Sequence, residues 1–149
     1  MSLLIVGTVA FDGIETPFGK VDKILGGSAT YIGISASYFN KSSNLISVVG
    51  GDFLEKNITL LKEHNIDCKG LTVMKNEKTF FWSGKYHSNM NQRDTVETQL
   101  NVLEKFTPII PEGYKDCTYL MLANLMPSLQ LKAINQLSKA PNLIVTDTM

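Results

Sequence analysis

The stretch Gly26-Gly27-Ser28-Ala29-Thr30-Tyr31 places two glycines directly before a helix start, with an isolated acid, Asp12, upstream of it. Paired glycines let backbone and ligand approach closely, and a helix N-terminus offers N–H groups without intrahelical partners. An ionised carboxylate only accepts hydrogen bonds, which suits a polyol that donates several O–H groups. No Gly-Lys-Ser/Thr follows the glycines and the G-x-G-x-x-G spacing is missing, so neither a phosphate loop nor a dinucleotide fingerprint is present. A plainer reading also stands for each: Asp12 as a turn carboxylate, the glycines as a tight turn.

Further candidates sit where apolar runs end. In open α/β sheets ligands gather beyond the carboxyl ends of strands, which singles out Asn124, after the run 119–123, and Asp147 with Thr148, after 143–145. The aromatic residues Phe80, Phe81, Trp82 and Tyr86 cluster in a β-prone segment, where ordinary sheet packing explains them equally well. Alternation sets Phe81 on the face opposite Phe80 and Trp82, so only one set can meet a ligand. Cys68 and Cys117 are far apart in sequence, and His64 and His87 have no partner at metal-ligand spacing. Zinc and redox chemistry are disfavoured, and unpaired thiols suit a reducing, cytoplasmic setting.

Elements must hold these residues in place, and the pattern alternates strand and helix. Leu3-Leu4-Ile5-Val6 and Leu45-Ile46-Ser47-Val48-Val49 read as buried parallel strands. Ser28 is expected to cap a helix ending at Asn40, which takes the left-handed terminal role. Asp52 with Glu55 resembles a capping box for a helix ending near Asn65. Pro127 fits the first turn of a helix carrying Leu129, Ala133, Ile134 and Leu137. Between them, residues 71–74, 79–86 and 95–98 lack helical period and suggest a small antiparallel flap, to which residues 20–25 add a strand. The last strand, near residues 143–145, has no covering helix after it, as if half of a larger unit were present.

With 149 residues the chain holds one domain's worth of core. Its formal net charge of zero gives a nucleic-acid partner no electrostatic support. No apolar run approaches the ~20 residues that span a bilayer, so no membrane association is expected.

Taken in order, Val6-Gly7 with Asp12, the Gly26-Gly27 helix start, Val49-Gly50-Gly51-Asp52, the strand-rich insert, and Asn124 with Pro127 resemble the ribokinase-like (PfkB) family of sugar and nucleoside kinases. The resemblance runs through the whole chain but matches only the amino-terminal half of the family's usual length. It implies an incomplete Rossmann-like three-layer α/β domain over residues 1–149 with a small antiparallel β-sheet lid, from segments at about 14–25 and 68–100. It also implies a substrate-binding set: Asp12 on substrate hydroxyls, Gly26 and Gly27 as site wall and lid hinge, Phe81 closing from the lid, and Asn124 at the strand end. Many members carry asparagine four residues after the second glycine. Tyr31 stands there instead, which points to a bulkier or aromatic substrate.

In that family the catalytic base is an aspartate of a G-x-G-D motif late in the chain. That motif is missing from this sequence, and the magnesium-linked N-x-x-E motif and the nucleotide pocket are likewise expected to be missing. The implied function is the substrate-binding half of an ATP- and magnesium-dependent sugar or nucleoside kinase that phosphorylates a hydroxymethyl group. No catalytic residue is assigned, and turnover by this chain is not expected, because phosphoryl transfer depends on the missing positioning and charge stabilisation. The alternative is a non-catalytic ligand-binding or dimerisation module using the lid as an interface, a homodimer through the lid being the expected assembly. A Rossmann-type oxidoreductase fragment is disfavoured by the missing dinucleotide fingerprint.

Overall fold

The computed structural model describes residues 2–39 and 42–147. Its centre is the strand β1 (Leu3–Val6), whose Leu4, Ile5 and Val6 are completely buried. Such a run has no solvent face, so helices must cover both sides of its sheet. β1 pairs in parallel with β4 (Ser43–Gly50) and β8 (Tyr119–Leu122), and the sheet extends through β5 (Ile66–Met74) and β9 (Leu143–Thr146) in the order β5-β4-β1-β8-β9. Alternation along the strands divides the core in two. Leu4, Val6, Ile46, Leu120 and Leu122 join the cluster around Phe106, Tyr114 and Ala133, while Ile5, Leu45 and Val49 join Ala29, Phe53, Leu61 and Ile66.

Among the described residues, three α-helices cover the sheet. α1 (Ser28–Ser37) and α2 (Glu55–Glu63) supply Ala29 and Leu61 to the second cluster, and α3 (Pro127–Ile134) supplies Ala133 to the first. Pro127 opens α3, where a missing N–H removes no helical bond. α1 stops at Ser37 with Tyr38 as its C-cap, and the expected terminal role of Asn40 lies outside the described residues. α2 ends within two residues of the expected place, and Asn65 takes the left-handed conformation with φ 56°.

The second layer is a separate four-stranded sheet of β2 (Ala10–Thr16), β3 (Gly19–Gly26), β6 (Phe81–Tyr86) and β7 (Arg93–Gln99), in the order β3-β2-β6-β7. It is mixed rather than antiparallel: β2 and β3 form one hairpin, β6 and β7 another, and β2 runs parallel to β6. Leu71-Thr72-Val73-Met74 is not part of it. That run belongs to β5, where Leu71, Thr72, Val73 and Met74 pair in parallel with residues 47–50 of β4. An edge strand of a parallel sheet keeps one side open to water, so its sequence has the half-exposed pattern of a lid strand.

Candidate functional site

The two sheets meet along one open cleft of about 400 Å³, lined by Thr8, Asp12, Gly27, Ser28, Tyr31, Phe80, Trp82, Tyr86, Arg93 and Asn124. The parallel sheet contributes its carboxyl end: Thr8 lies just past β1, and Asn124 just past β8. α1 contributes its N-cap Gly27 with Ser28 and Tyr31, the lid strands contribute Asp12, Trp82, Tyr86 and Arg93, and Phe80 lies just before β6. Four of the residues singled out from sequence, Asp12, Gly27, Tyr31 and Asn124, therefore share one cavity. A fifth, Gly26, stands directly behind Asp12.

The glycine pair is explained by geometry. A Cβ on Gly26 would overlap the Asp12 carboxylate. Gly27 has φ 91° and is the N-cap of α1, and a Cβ there would run into the carbonyl oxygen of Thr8. An L-residue is strained in that conformation whatever the space. The Gly27 N–H donates to the Asp12 carboxylate. Burial pushes the Asp12 carboxyl above its ordinary value of 3.8 and outweighs the lowering by this N–H. Asp12 is thus a half-buried acceptor held from behind by backbone and open to the cleft in front.

Ser28 does not cap the helix, which corrects the sequence-based expectation. It is the first helical residue, with no side-chain cap bond, and its hydroxyl instead donates to Asn124 Oδ1. Thr8 fills the position a ligand anion would need. Its Oγ1 accepts the Ser28 N–H at 3.2 Å, and its carbonyl accepts the Ala29 N–H at 2.9 Å. The start of α1 is consequently closed by protein groups. Thr8 Oγ1 also donates to Asn124 Oδ1 at 2.8 Å. With two hydroxyls on that oxygen, the amide nitrogen is the hydrogen-bonding group of Asn124 that these bonds leave unused.

Phe81, expected to close over the substrate, does not line this cleft. It packs against the cluster containing Phe11, Val49 and Phe53 and borders a cavity on the other side of the lid. Period-two alternation is the reason: Trp82 pairs with Asp12 in the parallel β2–β6 ladder and shares its face, so Phe81 must turn away. Phe80 and Trp82 line the cleft instead.

Asp52 is not a helix cap either. α2 begins at Glu55 with Leu54 as its N-cap. The Asp52 carboxylate accepts the Thr79 N–H at 2.8 Å, the Thr79 hydroxyl at 2.7 Å and Lys23 Nζ at 3.1 Å. Lys23 also stands 4.0 Å from the centroid of the Phe11 ring. Thr79 Oγ1 in turn accepts the Gly50 N–H at 3.0 Å. This latch ties the end of β4 to the segment entering β6 and to lid strand β3.

The start of α1, closed by Thr8, offers no open phosphate cradle among the described residues. No group of three or more His, Cys, Asp or Glu that could hold a metal ion occurs among them. The spacing N-x-x-E does occur, at Asn101 and Glu104, contrary to the sequence-based expectation. It lies in the 3-10 turn Asn101–Lys105, where the Asn101 amide donates to the Thr79 carbonyl at 2.9 Å and Glu104 is exposed. Neither residue lines the cleft. Cys68 and Cys117 are free thiols, both pushed up by burial. No helix among the described residues is long and apolar enough to cross a membrane.

Sequence reasoning missed Thr8, Ser28 and Arg93. A signal existed for Thr8, two residues beyond a buried parallel strand. Arg93 carries the chain's sole guanidinium, which marks it only once its neighbours are known.

No family model matches the sequence. The chain is 28% identical over 138 residues to a cytidine kinase of Thermococcus kodakarensis, covering 92% of this chain and 48% of that protein. A ribokinase of Cryptococcus neoformans solved in complex with ADP superposes with a TM-score of 0.79 at 17% identity, over 97% of this chain and 50% of the other. A nucleoside kinase of Burkholderia thailandensis solved with inosine does so with a TM-score of 0.75 at 12% identity, over 97% and 50%. The chain spans about half the length of these proteins. In sequence and in fold it is similar to the amino-terminal portion of the ribokinase/PfkB family of kinases.

Proposed function

We propose that this chain is the acceptor-binding part of an ATP-dependent sugar or nucleoside kinase that phosphorylates a hydroxymethyl oxygen. The observation that carries the reading is Asp12, a half-buried carboxylate anchored by the Gly27 N–H and opening onto a cleft between the parallel sheet and the lid. A carboxylate so placed accepts two vicinal hydroxyls, and Asn124 donates to a third oxygen. The lid above them excludes water from the acceptor. The similarity to a cytidine kinase and to the ribokinase fold supports the same class.

ATP and magnesium belong to the reaction of the whole kinase. The described residues do not fit either, since the start of α1 is closed by Thr8 and no acidic cluster is present. No step of phosphoryl transfer is therefore assigned to them, and the chain on its own is expected to bind acceptor without turnover. Coupled ADP release across a panel of sugars and nucleosides tests this: no release above background is expected, and clear turnover contradicts it.

A second reading, a dimerisation or ligand-binding module without catalysis, is favoured by the lid's open edges. Both β3 and β7 are edge strands with mostly exposed residues, and Val96 is 65% exposed. Such edges invite pairing with a second copy.

A further inference from the structure

The lid half of the cleft is built around one indole. Trp82 lies on the same face as Asp12, and two residues on stands Gly84, where a Cβ would overlap the outer edge of the Trp82 ring system. The indole therefore extends along the strand above a residue without a side chain. Trp82 Nε1 donates to Thr95 Oγ1 at 3.3 Å, fixing its polar edge. Arg93, paired across the ladder with Tyr86, places its guanidinium 5.6 Å from the indole centroid. From the core side Tyr31 enters the same cleft 51% exposed. An exposed phenol and a pinned indole lining one cavity offer more aromatic face than the small ring of a free pentose covers. They match a flat heteroaromatic ring, which stacks on aromatic faces and on guanidinium planes.

We infer that Trp82, extending over Gly84 and flanked by Arg93, is a stacking platform that selects an acceptor carrying a nucleobase over a free sugar, with Tyr31 contributing a second ring. This rests on the acceptor-binding reading of Asp12 and names the substrate class of that site. Asp12 holds the hydroxyls while the aromatic pair holds the base. Gly84 is a positioning residue: its missing side chain lets the indole lie down.

Trp82 is the chain's only tryptophan, so its emission reports on the platform directly. Adenosine, cytidine and D-ribose are titrated into the full chain, read by tryptophan fluorescence and by calorimetry. Both nucleosides are expected to quench Trp82 saturably and to bind on the order of tenfold or more tighter than ribose. Trp82→Ala and Gly84→Ala lower nucleoside affinity by a similar factor and lower ribose affinity much less, while Trp82→Phe restores most of it. A melting curve on each variant confirms that the fold is intact. Ribose binding as tightly as the nucleosides, or nucleoside affinity indifferent to Trp82→Ala, overturns the platform while leaving the Asp12 reading standing. Quenching that survives Asp12→Asn supports the platform and overturns the Asp12 reading. If neither nucleosides nor ribose bind, both fall.

Discussion

Asp12 is subject to opposing demands. To accept hydroxyls it must be ionised and partly shielded, yet burial raises its pKa, and only the Gly27 N–H pulls it back. With the folded pKa above the unfolded one, ionised Asp12 weakens the fold. That penalty is complete at neutral pH and disappears as pH falls through the folded pKa toward 3.8. Asp12→Asn removes the charge while its amide oxygen can still accept the Gly27 N–H. The expected outcome is a melting temperature at pH 7 at or above the unaltered protein's, a difference that closes as the solution is acidified, and acceptor affinity down on the order of tenfold or more. Paired melting curves and calorimetry check it. A lower melting temperature at pH 7 would show Asp12 to be structural.

The same scale shows what sequence could reveal. Gly26 and Gly27 were legible because their roles are backbone constraints, a close approach and a positive φ, that glycine alone meets easily. The Thr8–Ser28–Asn124 cluster was not, since its members lie 20 to 116 residues apart and meet only when β1, β8 and α1 converge.

At the scale of elements, the lid is held to the core by apolar packing of Phe11, Leu25 and Phe81 against Val49 and Phe53, and by the Asp52 latch. Burial pushes the Asp52 carboxyl up, but the Thr79 hydroxyl and N–H together with Lys23 more than reverse this and hold it below its ordinary value of 3.8. A depressed folded pKa means that the latch contributes stability above pH 3.8 and loses it as pH falls through the folded value. Asp52→Ala leaves the Thr79 N–H and hydroxyl without their acceptor, at a cost of about 1–3 kcal/mol. Hydrogen exchange should then speed up in β2, β3, β6 and β7 while β1 and β8 stay protected. Uniform acceleration in both sheets would mean that the latch supports the whole fold rather than the lid.

The strands of both sheets were visible as β-prone runs, and the sheet to which each belongs was only partly so. Residues 20–25 fall in the four-stranded sheet, whereas residues 71–74 fall in the parallel one. Edge position gives β5 the mixed exposure of a lid strand, and the parallel partner that distinguishes it lies more than twenty residues away. Asp52 and Glu55 misled for a related reason: the spacing fits a capping box, but Thr79 and Lys23 compete for the carboxylate and win it.

On the scale of the whole molecule, the parallel sheet has one well-covered half and one bare edge. Among the described residues β9 pairs with β8 alone, and its Leu143, Ile144 and Val145 are 55%, 41% and 41% exposed. Leu131 and Met126, in and just before α3, are exposed as well. An apolar edge strand of this kind is a template for pairing. Light scattering on the purified chain should therefore show concentration-dependent association in the micromolar range, reduced by Leu143→Lys with Val145→Lys. A monomer at all concentrations would contradict this, and association abolished by lid-edge changes would instead locate the contact at β3 or β7.

If the cleft between Asp12 and the lid binds the proposed acceptor, a nucleoside must perturb the residues that line it. Titration of the uniformly ¹⁵N-labelled chain with adenosine, followed by amide chemical shifts, tests it most directly. Saturable shifts at Gly27, Ser28 and Tyr31, together with β6 and the Trp82 indole N–H, are predicted. Shifts confined to other surfaces, or none at millimolar ligand, would contradict the account.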